Sequence, residues 1–205
     1  CGSDTLNFDV AFDQTAPVVT PPAKLVLECN DPTNPQTITN WLLAATASDD
    51  GGTTFLPVTN DYTGIVQACG AYATVTFSAV DNCGNVGTAT ADITIIDTSV
   101  PFWFTEPGDL DQTVECSDAL SLQFAQSLEP FASDACDQTV SSVKTPGAFI
   151  AGCCPQAGSY TNTWISKDVC GNSSIVYTQV ITVIDDVAPF WSTSTGSLNR
   201  SISCD

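Results

Sequence analysis

The sequence predicts an all-β protein made of two sandwich units in tandem, stapled by disulfide bonds. Three observations lead to this prediction. Short motifs recur at an interval of about 87 residues, several segments alternate apolar and polar residues, and ten of the 205 residues are cysteines. Together they are typical of a repetitive chain whose small units are held by covalent links.

The first observation is the internal repeat. Three similar segments, Lys24–Cys29, Asp111–Cys116 and Asn199–Cys204, end in cysteines that are 87 and 88 residues apart. The motif Asp-x-Cys-Gly-Asn occurs at 81–85 and again at 168–172. Because these landmarks recur in one order at one period, they mark structural repeats.

The landmarks divide the chain into four parts. Residues 16–99 and 100–187 form two complete repeats. We interpret residues 1–15 as the last strand of a preceding repeat and residues 188–205 as the first strand of a following one, so we expect a segment of a longer protein. A different interpretation, in which Cys1 is the lipidated first residue of a mature lipoprotein, stays open.

The second observation is alternation. Residues 74–80 and 88–96, and again 161–166 and 177–184, show the period of two that is typical of strands. Their β-branched and aromatic residues suit a half-buried strand. No long segment has the helical period, although residues 38–47 are compatible with a helical turn. Short strands in units of fewer than 100 residues predict tandem immunoglobulin-like β-sandwich domains.

The third observation is the cysteine content. The chain has no histidine and no Cys-x-x-Cys pair, so disulfides in an oxidising, extracellular compartment are expected rather than zinc. Only cysteines at one pole of a sandwich come close enough to bond. This predicts the disulfides Cys29–Cys69, Cys116–Cys154 and Cys136–Cys170, with Cys136–Cys153 as a competing pair. Cys83 and Cys153 are then left to join consecutive units or consecutive chains.

Acidic residues are predicted to gather at the poles where units meet. The first set is Asp13, Asp49 and Asp81, and the second is Asp97, Asp134 and Asp168. Carboxylate and carbonyl oxygens are the ligands that Ca²⁺ prefers, so each set is a candidate calcium site. The alternative is that these aspartates cap turns by accepting local backbone hydrogen bonds.

The motifs resemble a known repeat type. Val114-Glu-Cys116, Asp134-Ala-Cys136, Asp168-Val-Cys170-Gly-Asn and Ile181-Thr-Val-Ile-Asp185 are similar to hyalin-repeat-like (HYR-like) immunoglobulin-type repeats. Such repeats are arrayed in large secreted surface proteins of Bacteroidota, including gliding-motility adhesins. The resemblance covers residues 17–187 and implies a surface-exposed stalk or fibre, without implying a particular ligand. The first repeat departs from the pattern, because Gly51 stands where the second repeat has Cys136.

Composition limits the possible functions. Four Lys and Arg residues against 23 Asp and Glu residues give a formal charge of -19, which disfavours binding to nucleic acids and anionic lipids. No run of about 18 apolar residues is present, so membrane insertion is not expected. Without histidine, Ser-His and Cys-His pairs are impossible, and no phosphate-binding loop occurs, so we do not expect an enzyme.

We therefore predict a structural segment of an extracellular surface fibre, stalk or filament. Its expected partners are neighbouring repeats or copies of itself. The alternative is a polysaccharide- or protein-binding module that uses the aromatic residues after the linker prolines, at 102–104 and 190–191. A stalk predicts short loops and no large pocket, whereas a binding module predicts a groove lined by exposed aromatic side chains.

Overall fold

The computed structural model describes residues 13–50, 55–137, 139–152 and 156–202. Strands predominate over helices in these ranges. None of the helices in the described part of the chain is long and apolar enough to cross a membrane.

The first repeat folds as a two-sheet sandwich with one short helix. Its elements are β1 (Val18–Thr20), β2 (Leu25–Glu28), α1 (Asn34–Leu42), β3 (Thr46–Ser48), β4 (Val58–Asn60), β5 (Tyr72–Val80) and β6 (Val86–Ile96). One sheet has the order β2-β6-β5-β4, with β2 parallel to β6, and β1 pairs with β3 in the other. The strands predicted at 74–80 and 88–96 are confirmed as β5 and β6.

The second repeat has the same topology. Its elements are β7 (Phe102–Trp103), β8 (Gln112–Glu115), α2 (Ala119–Ser127), β9 (Ala132–Ser133), β10 (Ser141–Thr145), β11 (Ile150–Ala151), β12 (Gly158–Lys167) and β13 (Tyr177–Ile184). The larger sheet has the order β10-β12-β13-β8, with β11 beside β12, and β7 pairs with β9. The predicted all-β fold of tandem immunoglobulin-like sandwiches with disulfide bonds is therefore confirmed.

Packing divides the chain into two compact units whose borders differ from those of the repeats. The first unit holds the described residues up to Phe104 together with Ala132–Ser142 and Ile165–Ile175. The second holds Thr105–Phe131, Val143–Trp164 and the described residues from Val176 onward. The turns that follow β9 and β12 thus belong to the first unit.

The core of the first unit is apolar. Phe77, Ile93 and Ile95 are completely buried. Trp41 of α1 packs edge-on against Phe77, with 5.5 Å between the ring centroids. Burial of side chains this large contributes about 1.5–3 kcal/mol each. Pro35 fits the first turn of α1, where a missing N–H removes no hydrogen bond.

The core of the second unit contains polar side chains. Trp164 and Tyr177 pack edge-on, with 6.1 Å between centroids, and beside them Asn162 and Gln179 are completely buried. Asn162 Nδ2 donates to Gln179 Oε1 at 2.9 Å. Gln179 Nε2 donates to two backbone carbonyls, those of Leu110 (2.8 Å) and Ala125 (3.0 Å). The buried amides therefore have partners, which offsets the cost of their desolvation.

Candidate functional site

Two turns of the first unit each carry an aspartate and a disulfide-bonded cysteine. In the turn after β9, Asp134 Oδ1 accepts the backbone N–H groups of Cys136 (2.8 Å) and Asp137 (3.0 Å). In the turn after β12, Asp168 accepts the backbone and side-chain N–H groups of Asn172, both at 2.8 Å. The aspartates thus bond to local turn groups, as the turn-capping alternative predicts.

The same two aspartates come together with Asp97. One carboxylate oxygen of each residue lies within 4.8 Å of the other two, and all three residues are buried. Asp97 lies directly after β6, and its Oδ1 accepts the backbone N–H of Ser99 at 3.0 Å. The Asn172 side chain also donates to the backbone carbonyl of Asp97 at 3.0 Å, which ties the linker to the turn after β12.

The first acidic set repeats this arrangement. One oxygen each of Asp13, Asp49 and Asp81 lies within 4.8 Å of the others. Asn85 Nδ2 donates to the Asp13 carbonyl (3.1 Å) and to Asp81 Oδ2 (2.7 Å). Burial raises the pKa of the Asp81 carboxyl, but the hydrogen bonds from Asn85 and from backbone N–H groups outweigh it, so this pKa lies below its ordinary value. The structure therefore assembles both predicted acidic sets, and calcium binding by them stays a prediction.

The asparagine that ties each linker was missed by the sequence reasoning. Asn85 and Asn172 are the last residues of the two Asp-x-Cys-Gly-Asn motifs. The Cys-Gly-Asn sequences within them predict tight turns, because Gly and Asn accept positive φ, but they do not predict a bond to the linker. Gly84 and Gly171 do adopt left-handed conformations, with φ of 92° and 94°, which favours glycine at this point. The recurrence of asparagine one residue later was the available signal.

Two disulfides join the acidic turns to the end of the first repeat that lies far from its entry linker. Cys136 is bonded to Cys29, and Cys170 is bonded to Cys69, with Cα–Cα distances of 5.6 and 5.9 Å. All four cysteines belong to the first unit. Beside Cys29, the side chain of Asn30 donates to the Ala135 carbonyl at 2.6 Å.

The predicted pairs Cys29–Cys69 and Cys136–Cys170 are therefore wrong, and so is the competing Cys136–Cys153. The prediction assumed that each disulfide lies within one repeat. The linker 97–101 between β6 and β7 is short. The far pole of the first repeat, with Cys29 and Cys69, therefore lies close to the turns that carry Cys136 and Cys170. Linker length was the signal that could have shown this.

Two thiols among the described cysteines are free, those of Cys83 and Cys116. Desolvation raises the pKa of the Cys116 thiol, and its hydrogen bond to Glu115 and the charge of Asp185 raise it further. A raised pKa leaves little reactive thiolate. Cys83 is exposed.

Several predictions about cysteines fall partly or wholly outside the described residues. The positions concerned are Cys1, Cys153, Cys154 and Cys204. Because the Cys116 thiol is free, the predicted pair Cys116–Cys154 is wrong, and the free Cys83 thiol likewise forms no bond to Cys153 of the same chain. A bond from Cys83 or Cys153 to a consecutive chain stays a prediction.

The aromatic residues near the linkers differ in their surroundings. Trp103 Nε1 donates to the Ile175 carbonyl at 2.8 Å. The rings of Phe102 and Phe104 contact each other, with 5.0 Å between centroids. Phe190 and Trp191 are almost fully exposed.

A cavity of about 590 Å³ lies beside α1 in the first unit. Apolar side chains such as Ile38 and Leu42 line it, together with Tyr62 and the amides of Asn34 and Gln67. Asn34 Nδ2 donates to Gln67 Oε1 at 2.8 Å. The expectation of a stalk without a large pocket is therefore not met.

Comparison with known proteins shows no family model and no curated protein that matches the chain. Solved structures similar to it include a protocadherin GammaB4 extracellular domain (13% identity, 84% of this chain, 35% of that chain, TM-score 0.40). Another is the structure of tandem Ig repeats of Dlar (10% identity, 82% of this chain, 98% of that chain, TM-score 0.26). A third is that of Clostridium thermocellum CbhA fibronectin(III)-like modules (12% identity, 86% of this chain, 100% of that chain, TM-score 0.27). The chain spans about a third of the length of that protocadherin structure.

Proposed function

We propose that the chain is a structural repeat segment of an extracellular surface fibre, stalk or filament of the cell-surface adhesin type, without catalytic activity. The observation that carries the proposal is the pair of disulfides between the first repeat and the turns after β9 and β12. Together with the linker, they give three covalent connections where an ordinary tandem protein has one. Such connections suit a chain that bears tension in an oxidising compartment.

Other features support the same proposal. The sheet order recurs from one repeat to the next, as expected of an array of similar units. The resemblance to HYR-like repeats of Bacteroidota surface proteins implies a stalk. A formal charge of -19 favours solubility and limits clumping of long threads. Neighbouring repeats, or copies of the chain in a filament, are the partners that this role requires.

Stretching single molecules by their ends tests the load-bearing role. The bond Cys29–Cys136 shields a span of 107 residues from tension. Reduction should therefore add roughly 350–390 Å of extensible length, at 3.3–3.6 Å per residue. The oxidised chain should not release this length. Full extension of the oxidised chain without reduction would contradict the proposal.

Imaging the native host tests the location. Antibodies against the chain should label thread-like structures on intact cells. Labelling that requires permeabilised cells would contradict an extracellular fibre.

A second candidate function is binding of a polysaccharide or a protein. The cavity beside α1 favours this function, because a mostly apolar cavity with a few polar groups, here Tyr62 and the amides of Asn34 and Gln67, is typical of ligand-binding sites. Binding to a glycan or surface-protein array that is lost in Tyr62→Ala would support this function. Tyr72→Ala, which alters an exposed tyrosine on β5 away from the cavity, is the matched control. If Tyr62→Ala binds as well as Tyr72→Ala and the unmodified chain, the cavity is not the binding site.

A further inference from the structure

We propose that Asp97, Asp134 and Asp168, here called the Asp97 cluster, form a binding site for a divalent cation of the Ca²⁺ class. The cluster lies within the first unit and draws its residues from three distant segments of the chain. The inference does not depend on the load-bearing role, since either can hold without the other.

Two carboxylate oxygens of the cluster are buried without a hydrogen-bond partner. They are Oδ2 of Asp97 and Oδ2 of Asp134. These residues are only 5% and 7% exposed. In each, Oδ1 is held by a backbone N–H of its own turn, so the carboxylate is fixed and Oδ2 is left over. A buried carboxylate oxygen without a partner is costly, and a bound cation would satisfy both.

The charge of the cluster points to a cation. Three carboxylates lie within a few ångströms of one another in a buried position, where like charges repel strongly. The chain has only four Lys and Arg residues against 23 acids, so most carboxylates have no basic residue available. Lys144, one of the four, is engaged in the second unit, where it donates to the Gln126 carbonyl and lies over the Trp164 ring.

The ligand type favours Ca²⁺. The three oxygens lie within 4.8 Å of one another, so a single ion can contact all of them. Ca²⁺ accepts six to eight oxygen ligands in flexible geometry at 2.3–2.6 Å. Mg²⁺ demands a near-ideal octahedron and keeps several of its waters, so a site built from several protein oxygens favours Ca²⁺. Zn²⁺ favours nitrogen and sulfur, but the chain has no histidine and the cysteines of both turns are in disulfides.

The arrangement occurs twice in one chain. Asp13, Asp49 and Asp81 form the equivalent set at the beginning of the first repeat. Each set is accompanied by an asparagine that bonds both a linker carbonyl and an aspartate, Asn85 in one and Asn172 in the other. Two independent stretches of sequence thus build the same oxygen-rich arrangement, as expected if each set of aspartates holds one ion.

The proposed ion would act on the same turns as the disulfides. Cys136 and Cys170 lie two residues after Asp134 and Asp168, respectively. An ion held by both aspartates would connect the two turns to each other and to the linker at Asp97. Because only the folded chain assembles these ligands, the ion should stabilise the folded state.

Calorimetric titration of the oxidised, chelator-treated full chain with CaCl2, and separately with MgCl2, tests the proposal. Calcium at about 100 times its Kd should raise the thermal midpoint by at least about 5 °C, and magnesium should bind more weakly. Asp134→Asn keeps an oxygen for the turn N–H groups but removes a charged ligand. It should lose one calcium site. Without calcium, its midpoint should equal or exceed that of the unmodified chain, because one of the repelling charges is gone.

The matched control is Asp61→Asn, which makes the same charge change at an exposed position of the first unit. It should bind calcium like the unmodified chain. Asp97→Asn is the second variant if Asp134→Asn does not fold, and it should also lose one site. The proposal is overturned if calcium produces neither heat nor a midpoint shift in the unmodified chain, or if the cluster variants keep the stoichiometry of the control.

Discussion

The two large sheets place different chemistry at equivalent positions. In the first repeat Val75 of β5 faces Ala91 of β6, whereas in the second Asn162 of β12 faces Gln179 of β13. The neighbouring pairs are Phe77 with Ala89 and Trp164 with Tyr177. The strand register is the same in both repeats. The fold therefore requires that the core be closely packed and that its buried polar groups have hydrogen-bond partners, but it does not require every core side chain to be apolar.

The covalent links are also unevenly distributed. Both disulfides between described cysteines lie in the first unit. Among its described residues, the second unit relies on packing and on buried amides. The two units should therefore respond differently to reduction, to core truncation and to removal of a buried amide.

The largest effect is expected from the disulfides. Replacing Cys69 and Cys170 with serine opens a bond that spans 101 residues. In the chain-entropy model, a loop of this length contributes about 4–5 kcal/mol to the free energy of unfolding. Denaturant unfolding should show this loss in the first unit. Cys83→Ser, at an exposed free thiol, should change stability by less than about 0.5 kcal/mol. An equal loss in this control would refute the explanation.

Truncating the apolar core should have the next largest effect. Phe77→Ala leaves a cavity against Trp41 and should lower the free energy of unfolding by about 3–5 kcal/mol. Phe55→Ala removes the same ring from an exposed position and should change stability by less than about 0.5 kcal/mol. Similar stability of the two variants would show that Phe77 is not a core residue.

Substituting a buried amide tests the second unit. Asn162→Val removes the partner of Gln179 Oε1 and of the Gly147 N–H, which should cost about 1–3 kcal/mol. The double variant with Gln179→Ala recreates the pair Val75–Ala91 of the first repeat. Because the two amides are bonded to each other, the double variant should lose less stability than the sum of the two single variants, by at least about 0.5 kcal/mol. Strict additivity would contradict a coupled pair.

The smallest effect concerns pH. Asp118 caps α2, and backbone and side-chain hydrogen bonds from Ser121 hold its pKa below the ordinary value of 3.8. This contribution to stability is fully present above the unfolded-state pKa and is lost as pH falls through the folded-state pKa. Asp118→Asn should therefore match the unmodified chain at pH 6, while its thermal midpoint should fall less steeply below pH 3.8. If the thermal midpoints of the variant and the unmodified chain fall in parallel below pH 3.8, titration of Asp118 does not contribute to the loss of stability in acid.

Local patterns in the sequence predicted the strands and the acidic sets. The alternation at 177–184 coincides with β13, and following strands from pole to pole correctly grouped Asp97, Asp134 and Asp168. The helical turn expected within 38–47 overlaps the end of α1. These features depend on residues that are close along the chain or on the direction of successive strands, and both can be inferred from the order of the residues.

Features that depend on less regular contacts were missed. Leu120 and Phe124 of α2 are exposed and only Ala125 is buried, so the helix lacks the apolar period that would predict it. The partners of Cys29 and Cys69 depend on how closely successive repeats approach, which strand patterns within one repeat do not contain. The buried pair Asn162–Gln179 needs partners from distant segments, and alternation alone does not reveal them.

Disulfide mapping tests the central claim most directly, namely that covalent bonds join successive repeats. The oxidised chain should be alkylated, digested without reduction and analysed by mass spectrometry. The expected linked peptides contain Cys29 with Cys136 and Cys69 with Cys170. Peptides that link Cys29 with Cys69 and Cys136 with Cys170 would contradict the claim, because every bond would then lie within one repeat.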